Sequence, residues 1–174
     1  ARFALLARGA MEFLKTVGIP DILHARDWQA GLVPVYARTL YRGLFEKTKC
    51  VLTVHNLAFQ GMFWHLDMPL LGLDWKHFNW KELEFYGKIN FLKAGLVYAD
   101  AITTVSPTYA REILTPEFGC GLDGVLRERA ARLRGILNGV DYSEWNPEND
   151  PALASKYSAR AFAGKAKCKA ALQR

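Results

Sequence analysis

Four short apolar runs constrain the chain most: DILHA (21–25), KCVLTV (49–54), DAITTVS (100–106) and LRGILNGVD (133–141). Stretches with helical spacing alternate with them. In residues 2–17, Phe3, Leu5, Leu6, Ala10, Phe13 and Leu14 recur at helical intervals, and Gly18 and Pro20 end the pattern. Residues 27–41 read as a helix with Asp27 near its cap, and Pro34 inside it marks a kink or a late helix start. Residues 88–99 read as a helix. A further helix opens at Ser106-Pro107, a capping serine followed by proline at the first helical position. RERAARLR (127–134) and the tail KAKCKAALQR (165–174) read as solvated basic helix faces. Residues 56–86 read as long, aromatic and irregular, with short helical turns. Short strands alternating with helices predict an α/β fold, a doubly wound parallel sheet with helices on both faces.

In such sheets ligands bind beyond the carboxyl ends of the strands. The polar residues of this chain stand there: Asp27 after the first strand, His55-Asn56 after the second, Ser106 after the third and Asn138 after the fourth. Each has an ordinary explanation when taken singly. Asp27 and Ser106 read as helix caps, Asn138-Gly139 as a turn, and a lone His55 as a structural histidine. Their alignment along one edge is what raises a ligand site. The stretch VLTVHNLAFQGMFW (51–64) poses the choice most sharply, because a β-branched run stops at His55-Asn56 and an aromatic loop with one glycine follows.

Composition narrows the classes. Of 174 residues, 51% are hydrophobic and 23% charged, enough for a core and unlike a disordered segment. The net charge of +6 is scattered rather than gathered into a patch, which argues against nucleic acid as the partner. A positive field of that kind favours an anionic phosphate ester. No apolar run reaches the roughly 20 residues of a membrane helix, so no membrane partner is expected. Cys50, Cys120 and Cys168 are far apart and form no CxxC pair, which points to a reduced intracellular setting. His65 and His77 fit no standard metal-ligand spacing. Trp75, Phe78, Trp80, Phe85 and Tyr86 read as core or groove packing. The chain starts without methionine inside one helical pattern and ends inside another, so it is expected to be a segment of a longer protein.

HARDWQAGLVPVY, TVHNLAFQGMFW, FLKAGLVYADAITTVSPTYAREILTPEFGCGLDGVL and GILNGVDYSEWNP resemble, in order and spacing, the bacterial glycogen synthases and plant starch synthases. DWKHFNWKELEFYGKINFLK looks most like the bacterial side. The resemblance implies the two-domain GT-B arrangement and transfer of glucose from ADP-glucose to the non-reducing end of an α-1,4-glucan with retention. It implies no metal or other cofactor, and a cytoplasmic location in a bacterium or a plastid in a plant. It places residues 1–150 in the latter part of the N-terminal, acceptor-side Rossmann-like domain. Residues 151–174 become a helical segment leading toward the nucleotide-binding domain.

By the same resemblance, Asp27 matches an aspartate that contacts the donor glucose. His55 matches a histidine against that sugar, whose backbone carbonyl faces the anomeric carbon. Asn56 and Asn138 match asparagines that hold the glucose or shape its pocket. Gln60 and Gly61, in the aromatic loop Phe59 to Trp64 that borders the sugar site, are expected to bind substrate. One position departs: the family carries a second histidine where this chain has Arg26, in HARDW. Arg26 either pairs with Asp27 or points away. The family's donor-binding Lys-x-Gly-Gly loop and its nucleotide-phosphate residues have no counterpart in these 174 residues, so the segment alone is expected to be inactive. Two other readings are a different retaining GT-B glucosyltransferase, of sucrose or trehalose-phosphate type, and an inactive glucan-binding or scaffold remnant.

Overall fold

The computed structural model describes residues 1–174, in two compact units, Ala1–Leu137 and Asn138–Arg174. In chain order the first unit holds α1 (Arg2–Val17), β1 (Ile22–Arg26), α2 (Leu32–Arg38), β2 (Lys49–Val54), β3 (Met62–Trp64) and α3 (Met68–Leu71). It continues with β4 (Glu84–Phe85), β5 (Lys88–Asn90), α4 (Phe91–Tyr98), β6 (Ala101–Thr104), α5 (Pro107–Glu112), α6 (Asp123–Glu128) and β7 (Leu133–Gly135). The second unit has one helix, α7 (Ala163–Leu172), and a bridge between Ser158 and Ala161.

The expected parallel α/β sheet is present. Its four strands run in the order β1-β2-β6-β7, every pairing parallel. Leu23, Ala25, Cys50, Leu52, Val54, Ile102 and Leu133 are buried and alternate with more exposed neighbours, so they share one face. Against that face pack α1, α2 and α3 around Leu23 and Cys50, and α4, α5 and α6 around Leu52, Ile102 and Leu133. The opposite face carries Ile22, His24 and Arg26, which are exposed, and Thr53 and Thr103, half-buried. There His24 Nε2 lies 2.6 Å from Thr53 Oγ1, itself 2.6 Å from Thr103 Oγ1. The strand order explains the one-sided cover. Right-handed crossovers that step in one direction put every helix on the same side, and cover of the second face needs a reversal of order. No reversal falls within these four strands.

Several boundaries differ from the sequence reading. Residues 56–86 are not wholly irregular: β3 and β4 flank β5 in a small antiparallel sheet. The helix expected over 88–99 begins only at Phe91, because Lys88–Asn90 pairs as β5 and Asn90 caps α4 by accepting from Lys93 N–H at 2.9 Å. Pro34 causes no kink; α2 starts late, at Leu32, placing the proline in its first turn. The basic stretch 127–134 is no continuous helix, since α6 stops at Glu128 and β7 starts at Leu133. β7 is also shorter than the run 133–141 suggested, and no turn forms at Asn138-Gly139.

Two contacts lock the frame. A Cβ on Gly31 would lie 2.2 Å from the Phe91 carbonyl, and one on Gly95 3.0 Å from the Gly31 backbone, so glycines let α2 and α4 touch along their main chains. Arg38 donates to Asp100 at 2.6 Å, and the Cys50 N–H donates to the same carboxylate oxygen at 2.7 Å. Burial raises the Asp100 pKa, but these bonds and the Arg38 charge outweigh it and leave the carboxyl below its ordinary value.

Candidate active site

Because the strands are parallel, their carboxyl ends share one edge, and the residues past β1 and β2 meet there. The β1 ladder runs one residue beyond the strand, with Asp27 N–H donating to Thr53 O at 2.8 Å. The chain then turns sharply so that Trp28–Ala30 can form a single 3₁₀ turn into α2. The turn forces Asp27 to φ 54, ψ −175, a region that a residue with a Cβ occupies at a cost of about 1–3 kcal/mol. Asp27 makes no cap bond to the helical turn. Its Oδ1 accepts from the His55 backbone N–H and its Oδ2 from His55 Nδ1, both at 2.8 Å. A carboxylate only accepts, so His55 Nδ1 carries the hydrogen of this bond.

The aspartate is held from behind by Trp28, which packs edge-on to Phe3 at 4.7 Å and tilted to Phe63 at 6.0 Å. Gly61 lies against that indole. A Cβ there would come 2.2 Å from Trp28 Cε3, and φ is +65. Asp27, Trp28, Gln29, His55, Asn56 and Phe59 line an open cleft of about 360 Å³.

The loop after β2 is fixed at successive points. Asn56 Oδ1 accepts from Ala58 N–H at 3.0 Å, closing an Asx turn. Leu57 N–H donates to the Tyr109 hydroxyl of α5 at 3.0 Å. Gln60 is buried; its Nε2 donates to Cys120 O at 2.9 Å, and its Oε1 accepts from Asn90 Nδ2 at 2.6 Å. The Gln60 and Gly61 carbonyls accept from Leu92 and Phe91 N–H.

The structure thus brings Asp27, His55 and Asn56 together at one cleft. Gln60 and Gly61 belong to its support: the glutamine side chain is engaged inside the protein, and the glycine makes room for Trp28. Asn138 is exposed and opens the second unit. Ser106 caps α5 as expected, accepting from Thr108 and Tyr109 N–H at 3.1 and 3.3 Å. Arg26 is exposed and forms no ion pair; Asp27 pairs with His55 instead. His77 is engaged with Glu82 at 2.7 Å. Sequence reasoning missed Trp28, Asn90 and Tyr109. An asparagine ahead of an apolar helix was the available signal for Asn90; Tyr109 gave none.

The model of the starch synthase catalytic domain matches residues 1–128. The chain belongs to this family. It is 54% identical over 175 residues to a glycogen synthase of Koribacter versatilis, covering 99% of this chain and 36% of that protein. It is 56% identical over 171 residues to a glycogen synthase of Myxococcus xanthus, covering 97% of this chain and 36% of that protein. A solved family structure, the catalytic domain of starch synthase IV from Arabidopsis thaliana bound to ADP and acarbose, superposes with a TM-score of 0.77 at 33% identity. That likeness covers 99% of this chain and 36% of the plant chain. The chain therefore spans about a third of the length of the relatives it matches.

Proposed function

We propose that the Asp27–His55 strand end is the donor-sugar contact of a glycogen or starch synthase that moves glucose from ADP-glucose to an α-1,4-glucan with retention. The observation that carries the reading is the two-point grip of the Asp27 carboxylate on His55 beside an open cleft. It is supported by the family membership and by the ADP and acarbose named with the plant neighbour. Residues 1–150 are then the latter part of the acceptor-side domain, and residues 151–174 lead toward the nucleotide-binding domain. Bacterial relatives favour the cytoplasm, with a plastid as the counterpart in a plant; no helix is long and apolar enough to cross a membrane.

In this reading departure of ADP leaves positive charge at the anomeric carbon. The Asp27 carboxylate and the His55 backbone carbonyl, fixed before the reaction, stabilise that charge as it develops. Asn56, beside His55 in the cleft, donates to sugar hydroxyls and sets the pose. The acceptor hydroxyl attacks from the leaving group's own face, and the departing phosphate takes its proton. No metal or other cofactor enters the scheme.

The test is transfer from ADP-glucose to glycogen by the full-length protein. His55→Ala loses most activity, whereas Arg26→His changes little because Arg26 has no bond to Asp27. Full activity in His55→Ala would overturn the reading. A panel of ADP-, UDP- and GDP-glucose tests the donor, and preference for UDP- or GDP-glucose points to another retaining GT-B enzyme.

A further inference from the structure

In the proposed reaction the His55 carbonyl faces the charged anomeric carbon, and it accepts no hydrogen bond within the protein. The Asn56 N–H, at the other end of the same peptide, donates to none. The direction of this carbonyl is therefore set through the two peptides that flank it. Peptide units are planar, and each residue supplies only two soft dihedrals. Once both flanking planes are fixed, the φ and ψ of His55 and Asn56 must join them. The carbonyl is then aimed while staying free for a ligand.

Both flanking peptides are held at both ends. In the Val54–His55 peptide the carbonyl accepts from the buried Thr104 hydroxyl at 2.7 Å, and the N–H donates to Asp27 Oδ1 at 2.8 Å. In the Asn56–Leu57 peptide the carbonyl accepts from Phe59 N–H at 3.3 Å, and the N–H donates to the Tyr109 hydroxyl at 3.0 Å. The Phe59 bond closes within the loop and moves with it. Burial of the Leu57 side chain holds the segment down, but apolar contact has no direction and does not choose how the peptide faces. The Tyr109 bond is what ties this second plane to another element. Its footing is firm: the Tyr109 N–H is capped by Ser106 Oγ, and the half-buried ring packs against the cluster that contains Leu57. A Cβ on Gly135 would overlap the Ser106 carbonyl and Pro107, so the start of α5 sits directly on β7.

We propose that Tyr109 is a positioning residue for glucose transfer: by holding the Leu57 N–H, its hydroxyl aims the His55 carbonyl at the anomeric carbon. Tyr109 does not line the Asp27 cleft and acts through the intervening peptide. Asp27 and Tyr109 thus brace the same carbonyl from its two sides. The inference rests on the reading of His55 as the donor-sugar contact.

Steady-state transfer from ADP-glucose to glycogen by the full-length protein tests it. Tyr109→Phe keeps the ring and removes only the hydroxyl. Its kcat is expected to fall about tenfold, the scale for a misaimed reacting geometry. The KM for ADP-glucose stays within about twofold, because the carbonyl acts on charge that develops only in the transition state. A smaller folded fraction would also lower kcat, and the Asp27→Ala background separates the two causes. There the first flanking plane is already released, so Tyr109→Phe costs only about threefold or less. A folding loss would recur in full. Wild-type kcat in Tyr109→Phe overturns the proposal, as does a raised KM with unchanged kcat or an equal loss in both backgrounds. Failure of the synthase reading shows differently: the wild type itself transfers no glucose from any nucleotide donor.

Discussion

The Asp27 carboxylate holds His55 at two points 2.8 Å away, one on the backbone and one on the ring. It does so from a backbone conformation, φ 54 and ψ −175, that any side chain strains. Function and stability therefore oppose each other at this residue. Asp27→Ala and Asp27→Gly both lose the grip on His55, and transfer falls on the order of 10²–10³-fold, the scale for losing a preorganised electrostatic contact. Glycine also relieves the backbone. Asp27→Gly is expected to be about 1–3 kcal/mol more stable than Asp27→Ala in urea denaturation. Equal stability of the two variants would refute the strain.

Gly61 backs the same turn. Gly61→Ala drives a methyl group to 2.2 Å from the Trp28 ring at a left-handed position. Overpacking of this kind costs about 1–3 kcal/mol. The displaced indole carries Asp27 with it, so transfer falls as well. Denaturation midpoints and transfer rates of Gly61→Ala and wild type check this; an unchanged midpoint would show that Trp28 yields freely.

Gln60 joins the sugar-side loop to Asn90 and Cys120. Gln60→Leu keeps the bulk but leaves the Asn90 amide and the Cys120 carbonyl unpaired. The Cys120 carbonyl belongs to an exposed residue, but Asn90 is buried, and a buried polar group left unpaired costs about 1–3 kcal/mol. The loss is expected in the thermal melt, and backbone amide exchange rises in the loop after β2. A variant as stable as wild type would show that these internal bonds contribute nothing to stability.

Asp100 makes stability depend on pH. Its folded pKa lies below the ordinary aspartate value of 3.8. The charged form is therefore favoured by folding, and its contribution is complete above the unfolded pKa and lost as pH falls through the folded one. Wild type is expected to exceed Asp100→Asn in stability at neutral pH. The gap closes as pH drops below about 4. Urea midpoints of both proteins across acidic pH give the comparison, and a gap that widens on acidification would reverse the assignment.

Much of this architecture is written in local patterns. The apolar runs at 21–25, 49–54 and 100–106 mark strands because β-branched and aliphatic side chains suit a buried sheet wherever the strands pair. Ser106-Pro107 marks a helix start because cap chemistry acts over three residues. Those signals also set Asp27 and His55 on one sheet edge, and the four quoted motifs identified the family. The fate of each polar side chain was less legible. Asp27 carries a capping signal yet makes no cap bond, since β1 and β2 lie side by side and bring His55 within reach.

The sequence alone determined that the chain forms a parallel α/β sheet with polar strand ends, because hydrophobic period and caps are set by near neighbours. Only the tertiary structure decided which of those residues share a cleft and which brace it. Asp27 meets His55 across 28 positions, and Gln60 meets Cys120 across 60. The physical reason is that such bonds depend on strand order and helix crossing, and residues with identical local signals acquire different partners when distant segments pack.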